Sequence, residues 1–392
     1  MMTMTRRKAL KCGVAGALSL IGGPGRCSLF ASSRAGDDEI TGNERDQMGV
    51  FAEAFRDRFG VPGLSIAIAR NGNLVYREPF GFADRVGGEK LSSNHLFRIA
   101  SVSKTLTAVA IFNLVQSGTL DPQDLVFGTE KILVPKYRKS SYRKYVEDIT
   151  VDHLLTHTCG GWEKGTFDPM FCWSKVDVDH LISWIVDNRP LDYPPGDRYA
   201  YSNFGYCLLG RVIEVRTGRT YREYVKNEIL SKAGVADMQI GENKRSEHSP
   251  KEVVYKGQNG ENPYDVNVDR LDSAGGWIAT ATDLVRFASN VDKILSSKMI
   301  NEMTTRTKVP LNDPTRTKVT LNDSKGWNIA PEDGTWFHNG SLPGTASVIV
   351  RTPTGLCLAA VANTRYQPSD EMDGALYDMM LHMSRLIQSG TT

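Results

Sequence analysis

The chain has almost no excess of charge of either sign. Its 47 lysine and arginine residues face 45 aspartate and glutamate residues, so the formal net charge is +2. The sequence has neither a basic tail nor a heptad repeat. Nucleic acids and anionic membrane surfaces attract proteins through basic patches, which this composition does not favour. The composition therefore gives no indication of nucleic acid as a partner.

Several common catalytic signatures are also missing. No Gly-x-Ser-x-Gly occurs, which argues against the nucleophile elbow of the α/β-hydrolases. No phosphate-binding loop of the Walker type occurs either. His153 and His157 have the four-residue spacing of metal ligands on a helix, but Leu154 stands where His-Glu-x-x-His needs a glutamate. We therefore interpret both histidines as packed or hydrogen-bonded side chains and predict no metal site.

Cysteine is scarce in a chain of 392 residues, and two of the six cysteines, Cys12 and Cys27, belong to the N-terminal leader described below. Cys159 and Cys172 flank one loop and could form a disulfide after export, a question that the sequence leaves open. Cys207 lies on an apolar face, which indicates a small buried hydrophobic residue. An apolar content of 40% and a charged content of 23% are typical of a globular domain with a sizeable core.

The N-terminal segment has the pattern of an export signal. Arg6-Arg7 precedes an apolar stretch, residues 13–21, that is too short to span a bilayer. The segment resembles a bacterial twin-arginine signal, which is an address and not an anchor. We therefore expect residues 1–35 to be a signal peptide and residues 36–48 to be a linker. The mature protein is then periplasmic or extracellular, with no stable membrane anchor; a plain secretory signal is the alternative and implies the same location.

Ser101 and Lys104 form the most informative pair in the sequence. They lie three residues apart at the start of a long apolar stretch, residues 106–115, that ends before Gly118. Positions i and i+3 are neighbours on a helix, so the hydroxyl and the amine can lie within reach of each other. A lysine amine activates a serine only when burial lowers its pKa from about 10.4, and the pattern indicates a buried helix. A second Ser-x-x-Lys, at Ser141, lies in a polar, basic loop, and we interpret it as chance.

Two later motifs could complete a site around this pair. Tyr201 and Asn203 precede an apolar helical run, where the tyrosine could join in proton transfer and the asparagine could hold a substrate amide or the lysine. His338, Gly340 and Ser341 follow at the end of a strand, where the glycine lets the backbone approach a substrate closely. Each motif alone has an ordinary structural alternative: a helix cap with a surface lysine, a packed tyrosine with a capping asparagine, and a strand-to-turn glycine.

The order of strand and helix patterns predicts an α+β fold. Asn71-Gly72 between two apolar runs indicates a β-hairpin near the start. Segments 346–351 and 356–362 alternate with turns and indicate antiparallel strands, before a closing helix over residues 369–387. The middle of the chain is mostly helix and loop. We therefore predict an antiparallel sheet built from both termini and flanked by helices, with an inserted, mainly helical lobe.

The three motifs, in this order, resemble those of the serine β-lactamase and penicillin-binding protein superfamily. The class C-like branch is the most similar part, together with its related family VIII-type esterases, D-aminopeptidases and lactamase-like serine proteases. Segments 154–161, 273–277 and 343–345 are also similar to this family. The resemblance covers roughly residues 45–388.

The resemblance implies a β-lactamase/transpeptidase-like domain over residues 49–390. Its α/β lobe is expected over about 49–118 and 277–390, and its helical lobe over about 119–276. The active site of such a domain lies in the cleft between the lobes. The family needs no metal or organic cofactor for acyl transfer, so none is expected here.

The resemblance also implies a role for each site residue. Ser101 is the nucleophile, and Lys104 and Tyr201 form its proton relay, with the division of the base role between them left open. Asn203 positions the substrate, and the backbone N–H groups of Ser101 and Ser341 form the oxyanion hole. The implied activity is hydrolysis of an ester, amide or peptide bond in a small-molecule or peptide substrate through an acyl-enzyme. The alternative is a penicillin-binding-like module that binds cell-wall peptides, or is acylated by them, without efficient turnover.

The third motif departs from the β-lactamase pattern at one position. His338 stands where β-lactamases carry a lysine that helps to bind the carboxylate of the antibiotic. A histidine is only fractionally charged near neutral pH. With Gly340 two positions on, this motif resembles that of the esterase and peptidase members, several of which have histidine there. We therefore expect His338 to contact the substrate or its leaving group, in an esterase or peptidase rather than a true β-lactamase.

Overall fold

The computed structural model describes residues 40–137, 142–162, 168–309, 319–320 and 323–389. The predicted signal peptide, residues 1–35, lies outside these ranges. The residues within these ranges form one compact unit. No helix within the described ranges combines the length and the apolar composition that crossing a bilayer requires.

Helices and strands are distributed along the chain as predicted, with strands towards both ends. The helices are α1 (Gly42–Phe59), α2 (Ser103–Gln116), α3 (Val134–Tyr137), α4 (Val151–Leu155), α5 (Val178–Asn188), α6 (Asn203–Thr217), α7 (Tyr221–Tyr224), α8 (Val268–Gly275), α9 (Ala281–Ser289), α10 (Ser297–Thr304) and α11 (Ser369–Ser389). The strands are β1 (Gly63–Arg70), β2 (Asn73–Asp84), β3 (Glu89–Lys90), β4 (Phe97–Arg98), β5 (Gln239–Ile240), β6 (Trp277–Ala279), β7 (Lys308–Val309), β8 (Val319–Thr320), β9 (Asn328–Ile329), β10 (Trp336–Leu342), β11 (Thr345–Arg351) and β12 (Leu356–Ala362).

The main sheet has seven strands in the order β3-β2-β1-β12-β11-β10-β9. Neighbouring strands are antiparallel, and the central pair joins β1 from the start of the chain to β12 from its end. A sheet built from both termini was predicted, and this prediction is confirmed. The predicted hairpin is also confirmed, because Asn71 and Gly72 adopt positive φ values of 50° and 85° between β1 and β2. Such φ values are typical of the two-residue turns that connect the strands of a β-hairpin.

Strand β1 is buried on both of its faces. Its residues Leu64, Ile66 and Ile68 pack in one cluster with the apolar sides of α1 and α11, while Ala67 and Ala69 belong to the cluster on the opposite side of the sheet. Helix α9 packs against that opposite side. Alternation of side chains along a strand explains the division. The sheet is therefore a middle layer between helices, as the α+β prediction required.

The predicted linker over residues 36–48 is wrong for its second half. Helix α1 begins at Gly42, and Thr41 and Glu44 form a reciprocal capping box at its start. Met48 and Ala52 on this helix are fully buried against the sheet. A polar and acidic composition suggested a linker, but a Thr-x-x-Glu cap before apolar residues four apart is a helix start signal.

Helix α2 is buried on nearly all sides, as its apolar sequence predicted. It contacts α6 and α8 from the middle of the chain as well as the turn before it. The lobe division placed α2 with the sheet, whereas its contacts are largely with the helices of the middle segment. The N-terminus of α2 consequently lies where the sheet and these helices meet.

Asn363, just after β12, is a buried residue that ties three segments together. Its Oδ1 accepts from the Gly63 N–H at 2.7 Å, and its Nδ2 donates to the carbonyls of Phe82 and Val254, each at 3.1 Å. We expect Asn363→Ala to lower the free energy of unfolding by about 3 kcal/mol, because it leaves buried backbone groups without partners. Urea unfolding measures the change. Asn188→Ala, which removes an exposed asparagine bonded to Trp184 of its own helix, is the control and is expected to cost under about 0.5 kcal/mol; equal losses in both variants would contradict the prediction.

Candidate active site

Ser101 lies in a short 3-10 turn, Ala100–Val102, that leads directly into α2. The sequence pattern put Ser101 and Lys104 on one helix; in the structure Ser101 precedes that helix by two positions and Lys104 is its second residue. Ala100 has a φ of +46°, a left-handed backbone that alanine rarely adopts. Strain of this kind persists only where surrounding contacts over-determine the backbone.

Those contacts come from side chains of β11 and from β6. Thr345 Oγ1 donates to the Arg98 carbonyl and Ser347 Oγ donates to the Ile99 carbonyl, each at 2.7 Å. The Ile99 N–H donates to the Trp277 carbonyl at 3.0 Å. Every group in this set is buried. The turn that carries the nucleophile is thus bonded to the interior of the sheet.

The Lys104 side chain is completely buried and ends among three oxygens. Its Nζ donates to Ser101 Oγ at 3.1 Å, to Asn203 Oδ1 at 2.6 Å and to the Ala274 carbonyl at 2.6 Å. The structure therefore brings together the first predicted pair and the asparagine of the second motif. The Ala274 carbonyl was not predicted, although residues 273–277 resembled the family.

Tyr201 completes this cluster. Its OH donates to Ser101 Oγ at 2.8 Å, and the Lys104 Nζ lies 4.9 Å from the centre of its ring. The ring of His157 stacks on the Tyr201 ring with centroids 4.3 Å apart. Ser202 caps α6 through its hydroxyl, which fixes where the chain turns after Tyr201.

His157 was interpreted as a packed or hydrogen-bonded side chain, and it is buried in the structure. However, the helical spacing assumed for it is wrong, because α4 ends at Leu155 and His157 has a φ of +55°. Its Nδ1 accepts from the Ser202 N–H at 3.0 Å, and burial together with the nearby Lys104 lowers its pKa well below 6.5. A neutral ring whose Nδ1 accepts carries its proton on Nε2.

His153 has a different task from His157. Its Nδ1 accepts from the Thr150 N–H at 3.2 Å in the capping box at the start of α4. Within the described ranges, no group of three or more histidine, cysteine, aspartate or glutamate side chains is placed to hold a metal ion. The two histidines thus serve the backbone at opposite ends of one short segment.

Asn203, at the start of α6, has a partner on each side of its amide group. Its Oδ1 accepts from Lys104 Nζ, and its Nδ2 donates to Asp168 Oδ2 at 2.7 Å. Sequence reasoning missed Asp168 altogether. The only signal was local: an Asp-Pro pair that starts the 3-10 turn Pro169–Phe171, with Asp168 as its N-cap.

Gly340 on β10 passes extremely close to the nucleophile turn. A Cβ atom at this position would lie 2.2 Å from the Ile99 carbonyl oxygen and 2.4 Å from Ser347 Oγ. The sequence predicted that this glycine would allow close approach to a substrate. The crowding seen here is with the turn that carries Ser101, so only glycine permits β10 to lie beside the nucleophile.

Ser341 follows on the same strand. Leu342 and Thr345 flank a two-residue turn, whose closing pair is hydrogen-bonded, and bonded and non-bonded pairs alternate along antiparallel strands. Ser341 therefore falls at a non-bonded position, with its N–H directed away from β11. On that side β9 pairs only with Trp336 and Phe337, so the edge of β10 is open at Ser341. The Ser341 Oγ is buried and has no hydrogen-bond partner among the described residues.

His338 is buried, and its Nδ1 donates to the Asn339 carbonyl at 2.6 Å. Burial, with the positive Lys104 as a second cause, lowers its pKa from 6.5 to about 4. The expectation of fractional charge near neutral pH is therefore wrong, and the side chain is neutral there. Sequence alone could not supply the desolvation that causes the shift.

The cysteines around the site show no bridge. No disulfide joins Cys159 to Cys172, and Cys172 Sγ donates instead to the Asp168 carbonyl at 3.3 Å. Cys207 is fully buried in α6, as predicted.

Comparisons with known proteins agree with this arrangement. A sequence model of the Beta-lactamase family matches residues 51–379. Penicillin-binding protein 4* of Bacillus subtilis is 27% identical over 334 residues, which are 79% of this chain and 69% of that protein. Protein flp of Staphylococcus aureus is 26% identical over 340 residues, which are 84% of this chain and 65% of that protein. The chain thus spans about two thirds of the length of these relatives.

Solved structures give the same result for the fold. The octameric penicillin-binding protein homologue from Pyrococcus abyssi superposes with a TM-score of 0.69 at 25% identity, over 87% of this chain and 77% of that one. D-amino acid amidase from Ochrobactrum anthropi SV3 superposes with a TM-score of 0.71 at 20% identity, over 89% of this chain and all of the other. The antiparallel sheet and flanking helices are those of the β-lactamase/transpeptidase-like fold. The family match extends over most of the chain, and the protein belongs to the Beta-lactamase family of the serine β-lactamase and penicillin-binding protein superfamily.

Proposed function

We propose that this protein is an exported serine hydrolase that cleaves an ester, amide or peptide bond through an acyl-enzyme. One observation carries the proposal: Ser101 Oγ lies 3.1 Å from Lys104 Nζ and 2.8 Å from Tyr201 OH. Nucleophile and base within hydrogen-bond reach, with the base oriented by a third group, is the arrangement that activates a serine. Asn203 is that third group, through its bond to the lysine.

The surroundings of Lys104 suit a neutral amine acting as the base. A neutral amine has two N–H donors and one lone pair. The carbonyl oxygens of Asn203 and Ala274, each 2.6 Å from Nζ, can take the two donors. Ser101 Oγ lies 3.1 Å from Nζ, and once the amine has lost its proton its lone pair can accept the serine proton. Tyr201 reaches the same oxygen and can share this role.

The reaction then proceeds in two steps, acylation of Ser101 and hydrolysis of the acyl-enzyme. Ser101 Oγ bonds to the substrate carbonyl carbon while its proton passes to Lys104 and Tyr201. Collapse of the tetrahedral intermediate breaks the bond to the leaving oxygen or nitrogen, which receives that proton. Water next attacks the acyl-enzyme, loses a proton to the same pair, and releases the acid as Ser101 regains its hydrogen.

The oxyanion of each intermediate is assigned to two backbone donors. The Ser101 N–H lies beside Gly340, since a Cβ atom on that glycine would come 3.1 Å from the Ser101 nitrogen. The Ser341 N–H faces the open edge of β10. Preorganised donors of this kind stabilise the charge that develops in the transition state. Because Gly340 has no Cβ atom, β10 can lie close enough to the nucleophile turn for the two donors to be near each other.

The neutral state of His338 favours esters, amides and peptides over β-lactams as substrates. A β-lactam antibiotic carries a carboxylate that a lysine receives at this position in β-lactamases. Burial of His338 leaves no charge there at neutral pH. The structural similarity to a D-amino acid amidase supports an amide or ester substrate, while the penicillin-binding relative supports slow acylation without turnover as the alternative.

We expect Ser101→Ala to lower the turnover of p-nitrophenyl esters by at least about 10³-fold, because it removes the nucleophile. Covalent labelling by a fluorophosphonate probe disappears in the same variant. Ser141→Ala, which alters the second Ser-x-x-Lys of the sequence, is the matched control and keeps both activities. Full labelling of Ser101→Ala would refute the assignment. Mass spectrometry of the parent separates the alternative, since a persistent acyl adduct without product would indicate a binding module.

We expect nitrocefin turnover to be far slower than that of a dedicated β-lactamase measured in parallel. A missing charge-assisted hydrogen bond to the carboxylate costs about 1.5–3 kcal/mol, or about 10- to 150-fold in kcat/KM. The p-nitrophenyl ester assay on the same preparation controls for active protein. Nitrocefin turnover at the rate of the dedicated enzyme would overturn the proposed preference.

The proposal of export rests on the Arg6-Arg7 leader. We expect fractionation of a bacterial host to recover the protein outside the cytoplasm, with N-terminal sequencing finding a start near residue 36. Replacement of Arg6 and Arg7 by lysine is expected to block this export, whereas Arg26→Lys, a matched control in the same leader, leaves it intact. An uncleaved cytoplasmic parent would contradict export, and export of the lysine variant would contradict the twin-arginine route.

A further inference from the structure

Asp168 lies one amide group away from the Lys104 amine. Both of its carboxylate oxygens accept hydrogen bonds: Oδ2 from Asn203 Nδ2 at 2.7 Å and Oδ1 from the Met170 N–H at 2.8 Å. Asn203 Oδ1 in turn accepts from Lys104 Nζ at 2.6 Å. A continuous chain of hydrogen bonds therefore runs from a carboxylate to the amine beside the nucleophile.

The carboxylate determines which way the Asn203 amide faces. An ionised carboxylate only accepts hydrogen bonds, so it pairs with the NH₂ end of the amide and not with its oxygen. The amide oxygen must then face Lys104, where it can only accept. Without Asp168 the amide could rotate and direct its NH₂ group at the amine, which would remove one of the oxygens that orient the lysine.

A buried arginine fixes the position of Asp168. Arg270 donates to four backbone carbonyls of the segment that follows Asp168, at distances of 2.7–2.9 Å. These carbonyls belong to Met170, Cys172, Trp173 and Val176. Trp173 is held with a φ of +47°, which shows how tightly the segment is constrained. Such a clamp keeps the carboxylate at a fixed distance from the site.

We infer that Asp168 is a positioning residue for the base of this active site: it orients the Asn203 amide and places a negative charge opposite Lys104. This inference rests on the proposed function, because Lys104 is the base only in that proposal. Its alternative is a purely local role, in which Asp168 only caps the turn Pro169–Phe171 through Met170. The two roles differ in what they do to Lys104.

The charges that face this pair come from several elements. Among the described residues, Asp168 has three charged or titratable neighbours. Lys104 belongs to α2, Arg270 belongs to α8, and Cys172 belongs to the same segment as Asp168. Lys104 in turn faces the two buried histidines, His157 and His338. Burial raises the pKa of the Asp168 carboxyl, and the hydrogen bond from Asn203 opposes this effect. Tyr201 and Tyr206 also face the amine, since their ring centres lie 4.9 Å and 5.5 Å from Lys104 Nζ.

The test compares Asp168→Asn with Asp168→Ser, which keeps a capping hydroxyl for the turn but cannot reach Asn203. The Lys104 side chain is observed directly by NMR of protein labelled with ¹³C at the lysine Cε positions, and Lys104→Arg assigns its signal. In both variants we expect the Lys104 signal to titrate about one pH unit lower than in the parent, because an opposing charge is removed at this range. This measurement needs no turnover, so it tests the role of Asp168 even if the protein proves not to be a hydrolase.

A kinetic cycle tests the link through Asn203. We expect Asp168→Ser to reduce the plateau kcat/KM for a p-nitrophenyl ester about 10-fold in the parent and to have little further effect in an Asn203→Ala background. Asp269→Asn removes an exposed carboxylate of α8 that pairs with Arg222 of α7, and it serves as the charge control, with no shift expected in the Lys104 titration. An unchanged Lys104 titration in both Asp168 variants overturns the inference. Additive losses in the double variant overturn it as well.

Discussion

Confinement of the Lys104 amine among oxygens is the interaction on which the site depends. The amine is shut off from water, and its contacts reach the nucleophile, the amide of α6 and the backbone of α8 at the same time. An amine in such a place must be oriented by neutral oxygens if it is to accept a proton. Most other features of the site can be understood as ways of keeping these oxygens where they are.

The site is assembled from two structural sources. The sheet holds the turn that carries the nucleophile, because hydroxyls of β11 bond the backbone just before Ser101 and β10 lies against the same turn at Gly340. The helical segment supplies the groups that act on the nucleophile, since Tyr201 and Asn203 stand at the start of α6. Helix α2 joins the two sources, because it begins at the sheet and runs among the helices. The chemistry thus depends on a junction and not on either part alone.

Much of the fold was accessible from the sequence because its signals are local. The Asn71-Gly72 turn, the alternating strands near the C-terminus and the apolar run of α2 each depend on a few adjacent residues, and the structure contains them. The start of α1 also has a local sequence signal, the Thr41 capping box, but the polar composition of the segment led to the wrong prediction of a linker. The order of the three motifs predicted which residues converge around Ser101.

What the sequence did not reveal was tertiary in origin. Asp168 is one acid among many until the fold places it against Asn203. The neutrality of His338 follows from desolvation, which no local pattern encodes. The need for glycine at position 340 comes from a carbonyl more than 200 positions away in the chain, so the residue could be noticed but its reason could not.

The near balance of charge around the reacting oxygen has a consequence for how substrates arrive. Whenever the Lys104 amine holds a proton, its charge is opposed by the carboxylate of Asp168, and the histidine of β10 carries no charge at neutral pH. A site in which these charges cancel gives little long-range attraction to ions of either sign. Capture of a substrate is then governed by its shape and by short-range contacts, and its rate is expected to be nearly independent of ionic strength.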